Sequence, residues 1–361
     1  MKIKVAIVEN DNLYLRRLTN SLNNKYFETI TVYTYENVEV FEEAATKIRA
    51  NVVLVSETFD FTCPKGANFS FAYLAADKNS PSVLGTRVIE KYQKVEKIYK
   101  QIIDLFSEVA GATAFAGSDN GSNCKIIGFF SVGGGSGATA VSIAYARKVA
   151  SENKSVLYLS FDKNNISDLV LSDEGSHTMS DIIKAVKSKT TNVKLKLNSC
   201  LQQDHTGVYF YSPCKNILDF SEFTGEEKIT LLKTLASSNN ENDIMLKEFD
   251  VIVVDFEFEL SQNCAELIKL MYRVLAVLSA DDVYEKKFDN LYKILPHFED
   301  RHGVDLINRL GVICNKNPRN AKVINTEANI IGSIPKLPDN ISYAEIVNGL
   351  QGMPVMNQID V

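Results

Sequence analysis

The run Ser131-Val132-Gly133-Gly134-Gly135-Ser136-Gly137-Ala138-Thr139 is dense in glycine and hydroxyl groups, and it follows the apolar stretch Lys125 to Phe130. Glycines let a backbone wrap closely around phosphate oxygens, successive N–H groups can point inward as an anion nest, and a following helix adds its positive end. That helix is predicted over Ala140 to Val149, which sets Thr139 at its start, where a hydroxyl can coordinate Mg²⁺. A glycine-rich turn that only joins strand to helix would look the same, so the weight falls on what comes after. The strand predicted over Ser155 to Leu159 runs into Ser160, Phe161 and Asp162, bringing an acid toward the phosphates, and Val251 to Val254 is an apolar run ending at Asp255. A buried strand of that kind delivers one carboxylate to a Mg²⁺ shell. The same two aspartates could instead cap strand ends. Further on, Leu310 to Asn315 reads as a strand ending in asparagine, followed by Lys316, and Ile330 to Pro335 as another strand ending in a turn.

These residues need a scaffold of alternating strands and helices, and the pattern supplies two. In the first, the apolar run Ile3 to Val8 leads to Glu9, Asn10 and Asp11. A helical spacing through Leu13, Leu18 and Leu22 follows. A strand at Ile30 to Tyr33, a helix over Val40 to Ile48 and a buried strand at Val52 to Val55 complete a βαβαβ order that calls for a parallel sheet. Two more strands are expected near Phe71 to Leu74 and Arg87 to Ile89, then an amphipathic helix from Val95 to about Phe106. The connections around the fourth strand look too short for full helices. Ala110 to Ser122 is built of small and turn-forming residues and reads as a linker. The expected division is therefore a domain over residues 1–108, a linker over 109–123 and a second domain over 124–361. Both domains belong to the α/β class.

Composition narrows the function classes. At 361 residues the chain has room for two or three cores, and its apolar and charged fractions are those of a globular protein. The apolar runs fall short of the roughly 20 residues that span a bilayer, and the start MKIKVAIVEND lacks the apolar core of a signal peptide. A cytoplasmic protein is expected. The six cysteines (Cys63, Cys124, Cys200, Cys214, Cys264, Cys314) show no metal-ligand spacing and read as reduced core residues. A net charge of −6 without clustered Lys and Arg argues against nucleic acid as a partner.

The order of the first segment resembles the receiver domain of response regulators, where an acidic pair after the first strand and an aspartate ending the third build a Mg²⁺ and phosphoryl site. The matching positions here are Glu9, Asn10 and Ser56, with Lys91 at the lysine of the fifth strand. Glu57 is adjacent to Ser56 but alternation points it away. Without the aspartate there is no acyl-phosphate chemistry, so a pseudo-receiver is expected, a flavodoxin-like module for docking or dimerisation. In that setting Glu90-Lys91-Tyr92-Gln93 is either a binding-face feature or a strand exit.

From about Lys125 onward the chain resembles the MinD and ParA superfamily of deviant Walker ATPases, whose loop reads Lys-Gly-Gly-x-Gly-Lys-Thr. The resemblance implies a P-loop NTPase domain with a mostly parallel sheet that binds ATP and Mg²⁺. It implies Thr139 and Asp255 as metal residues and Asp162 as the catalytic residue that positions the attacking water. It further implies Gly133, Gly134, Gly135, Ser136, Gly137, Ala138, Thr139, Ala140, Asn315 and Pro335 around the nucleotide, with Asn315 reading the adenine edge. Both family lysines are missing: the signature lysine that reaches across an ATP-bridged dimer maps to Gly133, and the ordinary loop lysine to Ala138. Removing such a donor typically costs roughly 100- to 1,000-fold in rate, so binding should outlast hydrolysis. Lys163, next to Asp162, either supplies part of the missing charge or is a solvated loop lysine.

A pseudo-receiver ahead of a deviant Walker domain resembles the TadZ and CpaE proteins of Tad-type pilus assembly. That resemblance implies a homodimeric scaffold with slow or absent hydrolysis that marks an assembly site, often a cell pole, and meets pilus and secretion assembly proteins. The rival within the superfamily is a cycling ATPase that positions another cargo. A DNA-partitioning ATPase would need a basic surface, and a septum-positioning one a basic amphipathic tail, whereas Asn348 to Val361 contains no Lys or Arg. Direct membrane insertion is not expected. A tyrosine autokinase would need a terminal tyrosine cluster where Tyr343 stands alone, iron–sulfur carriers need paired cysteines, and the four histidines lack metal spacing.

Overall fold

The computed structural model describes residues 2–63, 69–77, 87–109, 124–172, 175, 177–188, 192–237, 246–318 and 328–359. Apart from Val109, the expected linker over 109–123 lies outside the described residues. The elements run β1 (Ile3–Val8), α1 (Asn12–Tyr26), β2 (Ile30–Tyr35), α2 (Val38–Ile48), β3 (Val52–Ser56), β4 (Ser70–Ala75), β5 (Val88–Glu90), α3 (Val95–Val109), β6 (Lys125–Ser131), α4 (Ala138–Ser151), β7 (Val156–Ser160), α5 (Met179–Lys187) and α6 (Val193–Cys200). They continue with β8 (Gln202–Gln203), β9 (Tyr209–Phe210), α7 (Ile217–Ser221), α8 (Gly225–Ala236), β10 (Val251–Asp255), α9 (Gln262–Lys269), β11 (Arg273–Ser279), α10 (Asp282–His302), β12 (Leu310–Asn317), β13 (Ile330–Pro335) and α11 (Tyr343–Gln351).

Two compact units result. The first comprises Met1–Ala114 with Lys184–Cys200 and Asn239–Leu246; the second holds the rest. In the first, five parallel strands stand in the order β2-β1-β3-β4-β5, the flavodoxin-like arrangement. Strand β3, apolar up to its terminal Ser56, is buried along its whole length, as a central parallel strand covered on both faces must be. Leu15, Leu18 and Leu22 of α1 join Ile102 and Phe106 of α3 on one face, while Phe41 of α2, Phe61 and Tyr73 fill the other. Asp11 caps α1 by accepting from the amides of Leu13 and Tyr14, which starts the helix directly after the acidic turn. Nothing in the sequence signals that α6 returns to this unit. Its Leu195 enters the α3 core, and Lys196 pairs with the buried Asp104, which also receives a 3.2 Å hydrogen bond from Ser199.

The second unit is built on an eight-stranded sheet ordered β13-β12-β11-β6-β10-β7-β9-β8, parallel except for the short β8–β9 pair. At its centre β6 runs beside β10 and β11, which brings the ends of the loop strand and the Asp255 strand together. Helix α4 is buried around most of its circumference, and its alanines at 140, 144 and 146 let it approach the sheet closely.

Candidate functional site

Strand β6 ends at Ser131, and the turn that follows has Gly135 at φ 87° and Gly137 at φ 89°, backbone conformations open chiefly to glycine. At Gly137 space is restricted as well, because a Cβ there would lie 2.5 Å from Nδ2 of Asn315. The turn is braced from within: Ser131 Oγ donates to the Gly133 carbonyl at 2.9 Å, and Ser136 Oγ donates to Ser131 Oγ at 2.8 Å. Gly137 then caps α4, so Ala138, Thr139 and Ala140 form its first turn.

Thr139 hydrogen-bonds the carboxylate of Asp255, the two residues meeting because β6 and β10 are neighbours in register. Tyr158 of β7 donates to the same carboxylate at 3.2 Å. Burial pushes the Asp255 carboxyl up to about 7, and the nearby acids Asp162 and Glu257 push the same way, while the Thr139 and Tyr158 hydrogen bonds oppose them. A buried carboxylate with so little positive charge around it is a site that a divalent cation would relieve. One hydroxyl and one carboxylate form a sparse protein ligand set that suits Mg²⁺, which keeps several waters and takes phosphate oxygens. Among the described residues no group of three or more His, Cys, Asp and Glu side chains could hold a metal elsewhere.

Asp162 stands just beyond β7, partly buried, accepting from the amide of Asn164 at 2.8 Å and close enough to Asp255 to raise its pKa. With Lys163 it lines a cavity of about 300 Å³ that reaches Met179, Cys214 and Phe220. Lys163 is exposed. Asn315 is buried on β12, and its amide donates to the Ser136 carbonyl at 2.8 Å, while its Oδ1 accepts from the Lys316 amide. Pro335 lies on the edge strand opposite Asn317, one strand further out.

Four groups around the loop and Asp162 were missed in the sequence. The hydroxyl of Tyr284 on α10 donates to the Gly134 carbonyl, and Lys287 of the same helix lies against Gly133. Lys316, in a left-handed conformation at φ 56° where β12 loses register with β13, donates to the Gly135 carbonyl at 2.7 Å. Lys228 of α8 is half-buried over the ring of Phe220 among Glu257, Glu259 and Asp162, and burial lowers its pKa. A signal for the α10 pair existed: Val274 to Leu278 is an apolar run, and Asp281 after it is a helix cap.

In the first unit, the receiver-like positions also converge. Glu9 is fully buried, Lys91 lies 2.6 Å from its Oε2, and the same ammonium donates to Ser56 Oγ at 3.2 Å. Glu57 points elsewhere, accepting from the Ala76 amide.

Together the two sheets and the glycine loop define the class: a receiver-like domain, and a second α/β domain in which a glycine-rich turn joins the central strand of a mostly parallel sheet to a buried helix. Residues 1–107 match the family described as TadZ-like, receiver domain. No curated protein matches the sequence. Among solved structures, the chain is similar to a ParA family ATPase from Chlorobium tepidum TLS, with 18% identity over 64% of this chain and 92% of that one and a TM-score of 0.49. It is also similar to the cell division ATPase MinD of Pyrococcus furiosus, with 16% identity over 65% of this chain and 98% of that one and a TM-score of 0.47. The septum site-determining protein MinD from Pyrococcus horikoshii OT3, solved with Mg-ADP, shows 17% identity over 65% of this chain and 89% of that one and a TM-score of 0.46.

Proposed function

We propose that this protein is an ATP-controlled scaffold for a Tad-type pilus or secretion machine, acting in the cytoplasm as a homodimer with slow or no hydrolysis. The observation that carries the reading is a combination. A segment matching a TadZ-like receiver domain precedes a glycine-rich loop whose Thr139 meets the buried Asp255, with glycine and alanine where both family lysines would stand. In this reading residues 1–108 dock partners, 109–123 link, and 124–361 bind nucleotide, with Asn315 and Pro335 on the adenine side. Any assembly site, a cell pole included, is then reached through partners.

Bound ATP with Mg²⁺ would supply the charge and the second contact face that hold two protomers together. The protein's own part is positioning. Gly133 to Ala140 would offer backbone N–H groups to phosphate, and Thr139 and Asp255 would hold the cation. Asp162 would orient a water, yet the loop itself holds no lysine to stabilise charge developing on the phosphoryl group. Association then follows from mass action, since a ligand that binds the dimer favours it. The test joins calorimetry with Mg-ATP, hydrolysis and light scattering on wild type and Asp255→Ala. Tight binding with a dimer and negligible turnover, both lost in Asp255→Ala, is expected. Fast turnover would replace the scaffold by a cycling ParA- or MinD-type ATPase, and absence of binding would sink the nucleotide reading.

A further inference from the structure

We propose that Lys287 of α10 is the phosphate-contacting cation of this loop, supplied from outside it, because its side chain lies across Gly133 where the loop has no lysine of its own. A Cβ on Gly133 would stand 2.7 Å from the Lys287 Nζ and 3.0 Å from its Cδ, so the Lys287 side chain runs over the loop. The proposal rests on the nucleotide-binding reading above.

Its support comes from the same helix. Tyr284, three residues earlier and thus on the same face, fixes α10 to the loop through the Gly134 carbonyl, and the Lys287 ammonium sits 5.2 Å from the centre of the Tyr284 ring. Among the described residues Lys287 makes no ion pair, so its charge is uncompensated beside a turn shaped for an anion. The other nearby lysine is differently employed: Lys316 spends a hydrogen bond on the Gly135 carbonyl and braces the turn. A side chain at 133 would meet the end of the Lys287 side chain, which occupies the space over that glycine.

The test measures ATP, ADP and AMP affinity of the full chain with Mg²⁺ by calorimetry. Lys287→Met is expected to weaken ATP and ADP by about 10- to 100-fold, the usual value of a hydrogen bond to a charged group, and to leave AMP unchanged. Lys287→Arg should retain most of the affinity, and Gly133→Lys combined with Lys287→Ala should recover it. Lys287 is exposed, so Lys287→Met is expected to fold, checked by its melting curve. ATP affinity within twofold of wild type in Lys287→Met would overturn the proposal and leave the nucleotide reading intact. An equal loss for all three nucleotides would also overturn it, since that is the mark of a residue that only shapes the loop. Wild type that binds no ATP would remove both.

Discussion

Asp255 sits at the end of a strand chosen for burial, and burial sets its proton affinity. Burial pushes its carboxyl up to about 7, against 3.8 for the free side chain. Between those values the folded state holds a proton that the unfolded state has lost, so stability of the metal-free protein should fall as pH rises from about 4 to about 7 and level off above. The span corresponds to something on the order of 4 kcal/mol. Urea unfolding across that range should show the slope in wild type and its absence in Asp255→Asn. In the first domain, Lys91 and Glu9 form a pair that neither residue could leave alone. Lys91→Met should cost about 3–5 kcal/mol by stranding a buried carboxylate, and Glu9→Gln in the same chain should restore most of it, both read from denaturant midpoints.

At the scale of elements, adjacency of strands converts sequence order into a site. Neither Thr139 nor Asp255 could find the other without β6 and β10 pairing in register, residue 255 opposite residue 129. Helix α6 makes the same point for stability. It lies more than 80 residues beyond α3 in the chain, yet it fills that helix's exposed flank with Leu195 and neutralises Asp104 with Lys196. Leu195→Ala should therefore destabilise the first unit by about 2–5 kcal/mol. The loss should be visible as an earlier transition in thermal unfolding, because a leucine 1% exposed leaves a cavity when truncated.

For the whole molecule, nucleotide should act as a stabiliser of the folded state. At a Mg-ATP concentration of about 100 times the dissociation constant the gain is about 2.7 kcal/mol, seen as a raised midpoint in a thermal melt. Thr139→Ala and Asp255→Ala should each lose most of that rise. No helix among the described residues is long and apolar enough to cross a membrane.

Local periodicity and turn chemistry wrote most of this plan into the sequence. The apolar runs from Ile3, Val52, Ile126 and Val251 mark buried parallel strands, the glycines between 133 and 137 mark a tight turn between strand and helix, and the acids after the strands mark where charge would gather. Each of those signals depends on neighbours a few residues apart, which is why it could be read in one dimension. The tertiary structure alone decided the rest. Lys287 and Lys316 meet the loop across more than 150 residues of chain, α6 joins a domain it does not follow, and Asp255 acquires its high proton affinity from what surrounds it. Long-range packing and desolvation have no period along a sequence, so only the folded chain could show which lysine came to stand where the loop has none.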